Sequence, residues 1–282
     1  MVYKRRFPTY GFAALALCLT AWAASWLRID PLFRYSFFPI WLGYILFMDA
    51  LVLMRRGESL LTRMRWRYVQ LFLISSVLWW VFEALNLAVQ NWHYILDQPY
   101  SLFVYFLIAS LDFSTVLPAV METAELLTTF KSLHPRLPAS NPGPRLPLRV
   151  LILVEVIGII CLVLPWIFPQ YFFGLIWLSV VLILDPINNF LRRKSVLAHI
   201  AVKDWRFFVL SLGGLICGFF WEMWNYYASP KWYYTVPYVG FLKIFEMPLL
   251  GYSGYLPFAL ELFAMYQFIL FLMRQEDDHL GL

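Results

Sequence analysis

Runs of about twenty apolar residues recur along this chain, and their recurrence limits the fold more than any other feature. A backbone crossing a bilayer has no water to bond, so it must satisfy its own N–H and C=O groups, and such runs become helices. Composition agrees. With 62% hydrophobic and 14% charged residues and a mean hydropathy of +0.68, the chain is no ordinary soluble domain, which carries about a quarter charged residues. The fold class expected is all-α and polytopic, with spans at about 10–27, 37–54, 68–90, 114–130, 148–166, 171–191, 206–228 and 255–273. The first span follows Lys4-Arg5-Arg6 and resembles a signal peptide. Its counterpart at 148–166 must be permanent, so it reads as uncleaved.

The chain also matches itself. At an offset of 139, Trp66-Arg67 falls on Trp205-Arg206, Glu83 on Glu222, Asn86 on Asn225, Tyr94 on Tyr233, Ser114 on Ser253 and Glu122 on Glu261. At an offset of 136, Trp41 falls on Trp177, Asp49 on Asp185 and Ser59 on Ser195. This is an internal duplication. It divides the chain into a first four-helix repeat (1–130), a proline-rich cytoplasmic linker (131–147), a second repeat (148–274) and a cytoplasmic tail (275–282). Each half carries an irregular segment, re-entrant or interfacial: 99–111, interrupted near Asp112, and 237–254.

Of the 22 Lys and Arg residues, 18 lie at the N-terminus, in 55–67, in 131–149, in 192–206 or at Arg274. The positive-inside rule then puts both termini in the cytoplasm, in a membrane expected to be a bacterial inner membrane. Four spans per half give the halves one orientation, related by a pseudo-two-fold axis along the membrane normal. The net charge of +5 belongs to these loops and does not point to nucleic acid. Cys18, Cys161 and Cys217 sit singly in apolar runs and read as packing residues. Four scattered histidines offer no metal or haem cluster, so neither metal nor cofactor is expected.

Chemistry, if any, belongs to the acids inside the apolar runs: Asp49, Glu83, Asp112, Glu122, Glu125, Glu155, Asp185, Glu222 and Glu261. No Lys or Arg lies at matching depth in the sequence. A bare carboxylate at the centre of a spanning helix costs about 3 kcal/mol or more, so each must face the interior. Glu83 with Asn86, and Glu222 with Asn225, share one helix face at a spacing of three. Pro118 and Pro257 each stand four residues before Glu122 and Glu261. The candidate catalytic residues are Glu83, Glu222, Glu122 and Glu261. The candidate substrate-binding residues are Asn86, Asn225, Trp80, Trp221, Trp224, Tyr226 and Tyr234. Asp49 and Asp185, close to basic loops, read as caps or snorkelling groups; Asp112 and Glu155 receive no role. Aromatics, 20% of the chain, crowd these acids. A carboxylic acid can protonate an alkene, and aromatic faces stabilise the resulting carbocation.

The stretch Trp221-Glu222-Met223-Trp224-Asn225, followed by Lys231-Trp232-Tyr233-Tyr234-Thr235-Val236-Pro237-Tyr238-Val239-Gly240 and Phe245-Glu246-Met247-Pro248-Leu249-Leu250, resembles the membrane-integral lycopene cyclase domain. The acidic pair that this family carries after its proline is replaced here by Leu249-Leu250. The resemblance covers some 45 residues and implies acid–base cyclisation or isomerisation of an apolar isoprenoid. Two other classes are expected to compete with an enzyme acting on a membrane lipid or isoprenoid. One is a proton- or cation-coupled transporter using the same carboxylates. The other is a subunit or assembly factor, bound to a partner or oligomeric, in which Glu-x-x-Asn is interhelical glue.

Overall fold

The structure, a computed structural model, describes residues 6–130, 132–133, 143–204 and 206–277. Trp205, most of the linker and the tail beyond Asp277 lie outside the described residues. In chain order the helices are α1 (Thr9–Trp26), α2 (Phe37–Arg56), α3 (Leu60–Met64), α4 (Arg67–Val89), α5 (Leu102–Phe113), α6 (Val116–Thr128), α7 (Leu148–Ile167), α8 (Pro169–Phe172), α9 (Ile176–Phe190), α10 (Val196–Ala201), α11 (Arg206–Tyr226) and α12 (Tyr255–Leu272). Four short strands join them: β1 (Trp92–Ile95), β2 (Lys231–Tyr234), β3 (Lys243–Ile244) and β4 (Met247–Pro248).

Among the described residues, eight helical stretches are long and apolar enough to cross a membrane. The chain is an integral membrane protein. Seven of the eight lie close to their expected positions. The exception is the fourth. Helices α5 and α6 join into one stretch, Leu102–Thr128, because Ser114 and Thr115 keep right-handed helical angles. At about 1.5 Å per residue these 27 residues reach about 40 Å, beyond the ~30 Å hydrocarbon core. Residues 102–111 are therefore the first part of one long apolar helical stretch rather than a separate re-entrant helix. The irregular region 237–254 contains the β3–β4 hairpin and a 3-10 turn over Leu249–Gly254.

Buried helices carry the centre. Helix α6 buries eleven of its thirteen residues and packs on α2, α4 and α11, while α12 packs on α9 and α11. Helices α1 and α7 sit outside, each laid along one neighbour, α2 and α9. Small residues allow that close approach. A Cβ on Gly43 of α2 would lie 2.6 Å from the Ala14 carbonyl oxygen, and one on Gly158 of α7 would lie 2.8 Å from the Leu182 carbonyl carbon. The outer row of α7 (Ile152, Leu153, Val156, Ile160, Val163) is exposed, as a lipid-facing stripe should be.

Two buried aspartates shape the turns on the basic side. Asp49 accepts from Ser59 Oγ (2.9 Å), the Leu61 N–H (2.9 Å) and the Tyr10 hydroxyl (2.5 Å). Asp185 accepts from Ser195 Oγ (2.7 Å) and from the Val196 and Leu197 N–H groups (both 2.8 Å). Each satisfies the free N–H groups at the start of a short helix, α3 or α10. Ahead of α3, Gly57 takes φ 87° and ends α2, a conformation open to glycine at little cost.

Candidate functional site

The opposite end of the bundle is closed by β1 and β2, which pair antiparallel across the two halves of the sequence. Trp92 stands opposite Tyr234, His93 opposite Tyr233, Tyr94 opposite Trp232 and Ile95 opposite Lys231. The Thr235 N–H reaches the Asn91 carbonyl at 2.9 Å, so hydrogen-bonded pairs alternate at 91/235, 93/233 and 95/231. Side chains alternate too. Trp92, Tyr94, Trp232 and Tyr234 face inward, whereas His93 and Tyr233 pack together on the outside with centroids 5.3 Å apart.

Trp92 and Trp232 occupy non-hydrogen-bonded ladder positions, so their backbone groups point away from the partner strand. The two asparagines meet them there. Asn225 Nδ2 donates to the Trp232 carbonyl (2.8 Å) and its Oδ1 accepts from the Trp232 N–H (2.9 Å). Asn86 Nδ2 donates to the Trp92 carbonyl (2.8 Å), and its Oδ1 accepts from the Asn91 N–H (2.9 Å). Each asparagine thus acts as a further strand edge, fixing the ladder to α4 or α11. The expected substrate-binding role for Asn86 and Asn225 gives way to this backbone clamp.

Beneath the ladder lies a cavity of about 490 Å³ whose wall is drawn from both halves. Its rings include Trp79, Trp92, Tyr94, Phe113, Trp177, Trp221, Trp224, Trp232, Tyr234, Tyr255 and Phe258. Ring contacts link many of these side chains. Trp177 packs on Phe82 and Trp92 (both 5.6 Å) and Phe258 (5.8 Å), and Trp221 packs on Tyr255 (5.8 Å). Trp177 was not singled out from sequence; its place as the counterpart of Trp41 was the available signal. Of the binding residues expected from sequence, Trp221, Trp224 and Tyr234 line the wall. Trp80 and Tyr226 do not: Trp80 donates to Ser110 Oγ (2.9 Å), and Tyr226 packs on Tyr227 and Phe245.

None of the four expected catalytic glutamates lines this wall. Glu83 and Glu222 stand one layer behind it. Glu83 Oε1 accepts from Trp79 Nε1 (2.9 Å), Trp92 Nε1 (3.1 Å) and the Tyr94 hydroxyl (2.6 Å). Glu222 Oε1 accepts from the hydroxyls of Tyr234 (2.6 Å) and Tyr255 (2.7 Å), and Trp232 Nε1 donates to Tyr234 Oη (2.9 Å). Burial, reinforced by the adjacent glutamate, pushes the Tyr94 and Tyr234 hydroxyls well above the ordinary phenol range, so both stay protonated donors at neutral pH. Glu122 and Glu261 are elsewhere. Glu122 accepts from the Tyr68 hydroxyl (2.7 Å), Glu261 from the Val180 N–H (3.0 Å), and in each the Oε2 atom has no hydrogen-bond partner. The four candidate acids therefore do not share the cavity: a layer of donor-bearing rings separates Glu83 and Glu222 from the space, and Glu122 and Glu261 lie outside it.

The carboxyl group in the wall is that of Asp112, which faces the Phe38 N–H at the start of α2. Two bases also border the cavity, and both are paired. Arg34 binds Asp97 (2.6 Å) and Asp30, and Lys231 binds Glu246. Glu125 corrects a further expectation. It is buried but ion-paired with Arg63 of α3 (2.6 Å) and with Arg56 at the C-terminal end of α2 (3.1 Å). No group of His, Cys, Asp and Glu among the described residues is placed to hold a metal.

Comparison of the chain with family models, curated proteins and solved structures finds no match.

Proposed function

We propose that this protein binds an apolar isoprenoid or related lipid in the aromatic chamber and transforms it by acid–base chemistry that passes through positive charge. One observation carries the reading. Six rings of the chamber wall turn their polar N–H or O–H edges away from the space, toward Glu83 and Glu222. What these six rings leave toward a ligand is ring face, apolar and electron-rich. In this scheme Asp112 is the acid that reaches the substrate, and Glu83 and Glu222 act through the rings they hold. Leu178, on a spanning helix, borders the chamber and is 39% exposed, which supports entry from the lipid side.

Two parallel repeats in a bacterial inner membrane, both termini cytoplasmic, frame this site. Two features support the repeat. Exchanging each strand residue for its counterpart 139 positions away leaves the β1–β2 register unchanged. The aromatic packing is also reciprocal: Trp41 packs on Trp221 (5.1 Å), and its counterpart Trp177 packs on Phe82, the counterpart of Trp221. Reporter fusions at either terminus should be active only in the cytoplasm; a periplasmic signal from one end removes this orientation.

The test of function is chemical. Lipid extracts from cells making the wild-type protein should contain a converted isoprenoid, read by mass spectrometry, that is lost with Asp112→Asn. Full conversion by both Asp112→Asn and Glu222→Gln rejects the enzyme. A proton-coupled transporter is the second reading, favoured by the partnerless, buried Oε2 atoms of Glu122 and Glu261. It requires that uptake into proteoliposomes depend on pH and on those two residues.

A further inference from the structure

We infer that the chamber is a binding site for lipophilic organic cations, of the quaternary ammonium class. The inference rests on the electrostatics of the wall and holds whether or not the protein turns a substrate over.

An aromatic ring is negative on its faces and positive at its edge. In an ordinary pocket, Trp and Tyr present a mixture of both. Here five of the positive edges, the indole N–H and phenol O–H groups of Trp79, Trp92, Tyr94, Tyr234 and Tyr255, are spent on two carboxyl groups behind the wall. Accepting charge through a hydrogen bond to an anion makes a phenol or indole face more electron-rich. Glu83 Oε1 is surrounded by three donors. Glu222 Oε1 likewise accepts from two, so both oxygens turn their electron density toward the rings of the wall. The space thus combines apolar surface with a negative field.

The bases nearby do not cancel that field. Arg34 and Lys231 are engaged by Asp30, Asp97 and Glu246, three acids for two bases. Asp112 adds a carboxyl group to the wall itself.

Ligand chemistry follows from what the wall lacks. A primary ammonium ion needs acceptors for three N–H groups and is strongly hydrated. The ring faces supply none. A quaternary ammonium ion has no N–H, spreads its charge over its alkyl groups and gives up little hydration. Its contact with desolvated rings is the favourable cation–π case. A volume of about 490 Å³ accommodates such a group together with an apolar ring or chain.

The test uses the full-length protein in lipid nanodiscs and three probes of one shape. Benzyltrimethylammonium, neopentylbenzene and phenylmethanesulfonate carry a positive, a zero and a negative charge. Binding is followed by quenching of tryptophan fluorescence. The cation is expected to bind at least tenfold more tightly than the neutral isostere, and the anion most weakly. Replacing Glu83 and Glu222 together by Gln should bring cation and neutral isostere within about threefold while leaving the neutral compound's affinity in place. Should the double variant not fold, Tyr94→Phe and Tyr234→Phe keep the rings and remove the O–H links, and each should cut the cation's advantage several-fold. Equal binding of cation and neutral compound by the wild-type protein overturns the inference. Tightest binding of the sulfonate overturns it too, and hands the chamber mouth to Arg34 and Lys231. Cation selectivity without any lipid conversion would leave the inference standing and reject the enzymatic reading alone.

Discussion

Replacing Asn225 by Ala isolates what the paired strands depend on. Asn225 is fully buried. Its amide serves both backbone groups of Trp232, which the ladder itself leaves unpaired at that register. Alanine removes both bonds and leaves one N–H and one C=O without those partners. Each such loss costs about 1–3 kcal/mol, so the local structure should weaken by about 2–6 kcal/mol. Even the lower figure, at about 1.4 kcal/mol per tenfold, makes exchange of the Trp232 amide about thirtyfold faster by local opening. Hydrogen–deuterium exchange read by mass spectrometry on peptides covering 228–236 measures this directly. Tryptophan fluorescence should also change, since Trp92 and Trp232 would lose their fixed settings. The reasoning fails if Trp232 exchange in the variant stays within about threefold of wild type, because the asparagine would then not be holding the strand.

Removing both bases from the Glu125 site should be costly. The double variant Arg56→Ala/Arg63→Ala strips the two guanidinium partners seen for a carboxyl group that is 1% exposed, and breaking a buried pair costs about 3–5 kcal/mol. A large drop in thermal stability in detergent is the expected reading; an unchanged transition contradicts the pairing. Gly43→Leu should prevent α1 from lying against α2, since even a Cβ there meets backbone at 2.6 Å, and the protein should lose its monodisperse peak. Gly174→Ala, with nothing within 4 Å of the added carbon, is the control and should behave as wild type.

The spans were legible because a bilayer tolerates little besides helices, so hydropathy alone located seven of the eight closely. The long fourth stretch was not, because Asp112, Ser114 and Thr115 look like a break while their backbone stays helical. The strands were hidden for a different reason. Trp92–Ile95 and Lys231–Tyr234 are four residues each and rich in aromatics, which reads equally well as an interfacial belt. Their pairing joins segments remote in sequence. The Glu-x-x-Asn motif lies at the ends of α4 and α11 next to the cavity, but its spacing does not give the partners of either residue. Spacing puts Glu and Asn on one helix face. It says nothing of the strand that doubles back, whose backbone takes the asparagine and whose rings screen the glutamate. The pairing of Glu125 is hidden likewise, since its bases come from the last turn of α2 and from the short helix α3, at positions that read in sequence as loop.

The clamped ladder also limits how this bundle can move. Because β1 is fastened to α4 and β2 to α11, those two helices cannot separate at the strand end without tearing both the ladder and its asparagine fastenings. Widening of the bundle at that end therefore has to break backbone pairing first. The far end is held by packing and side-chain bonds instead: Gly213 of α11 lies against Ala124 of α6, and Arg67 and Gln70 of α4 both donate to the Gln275 side chain.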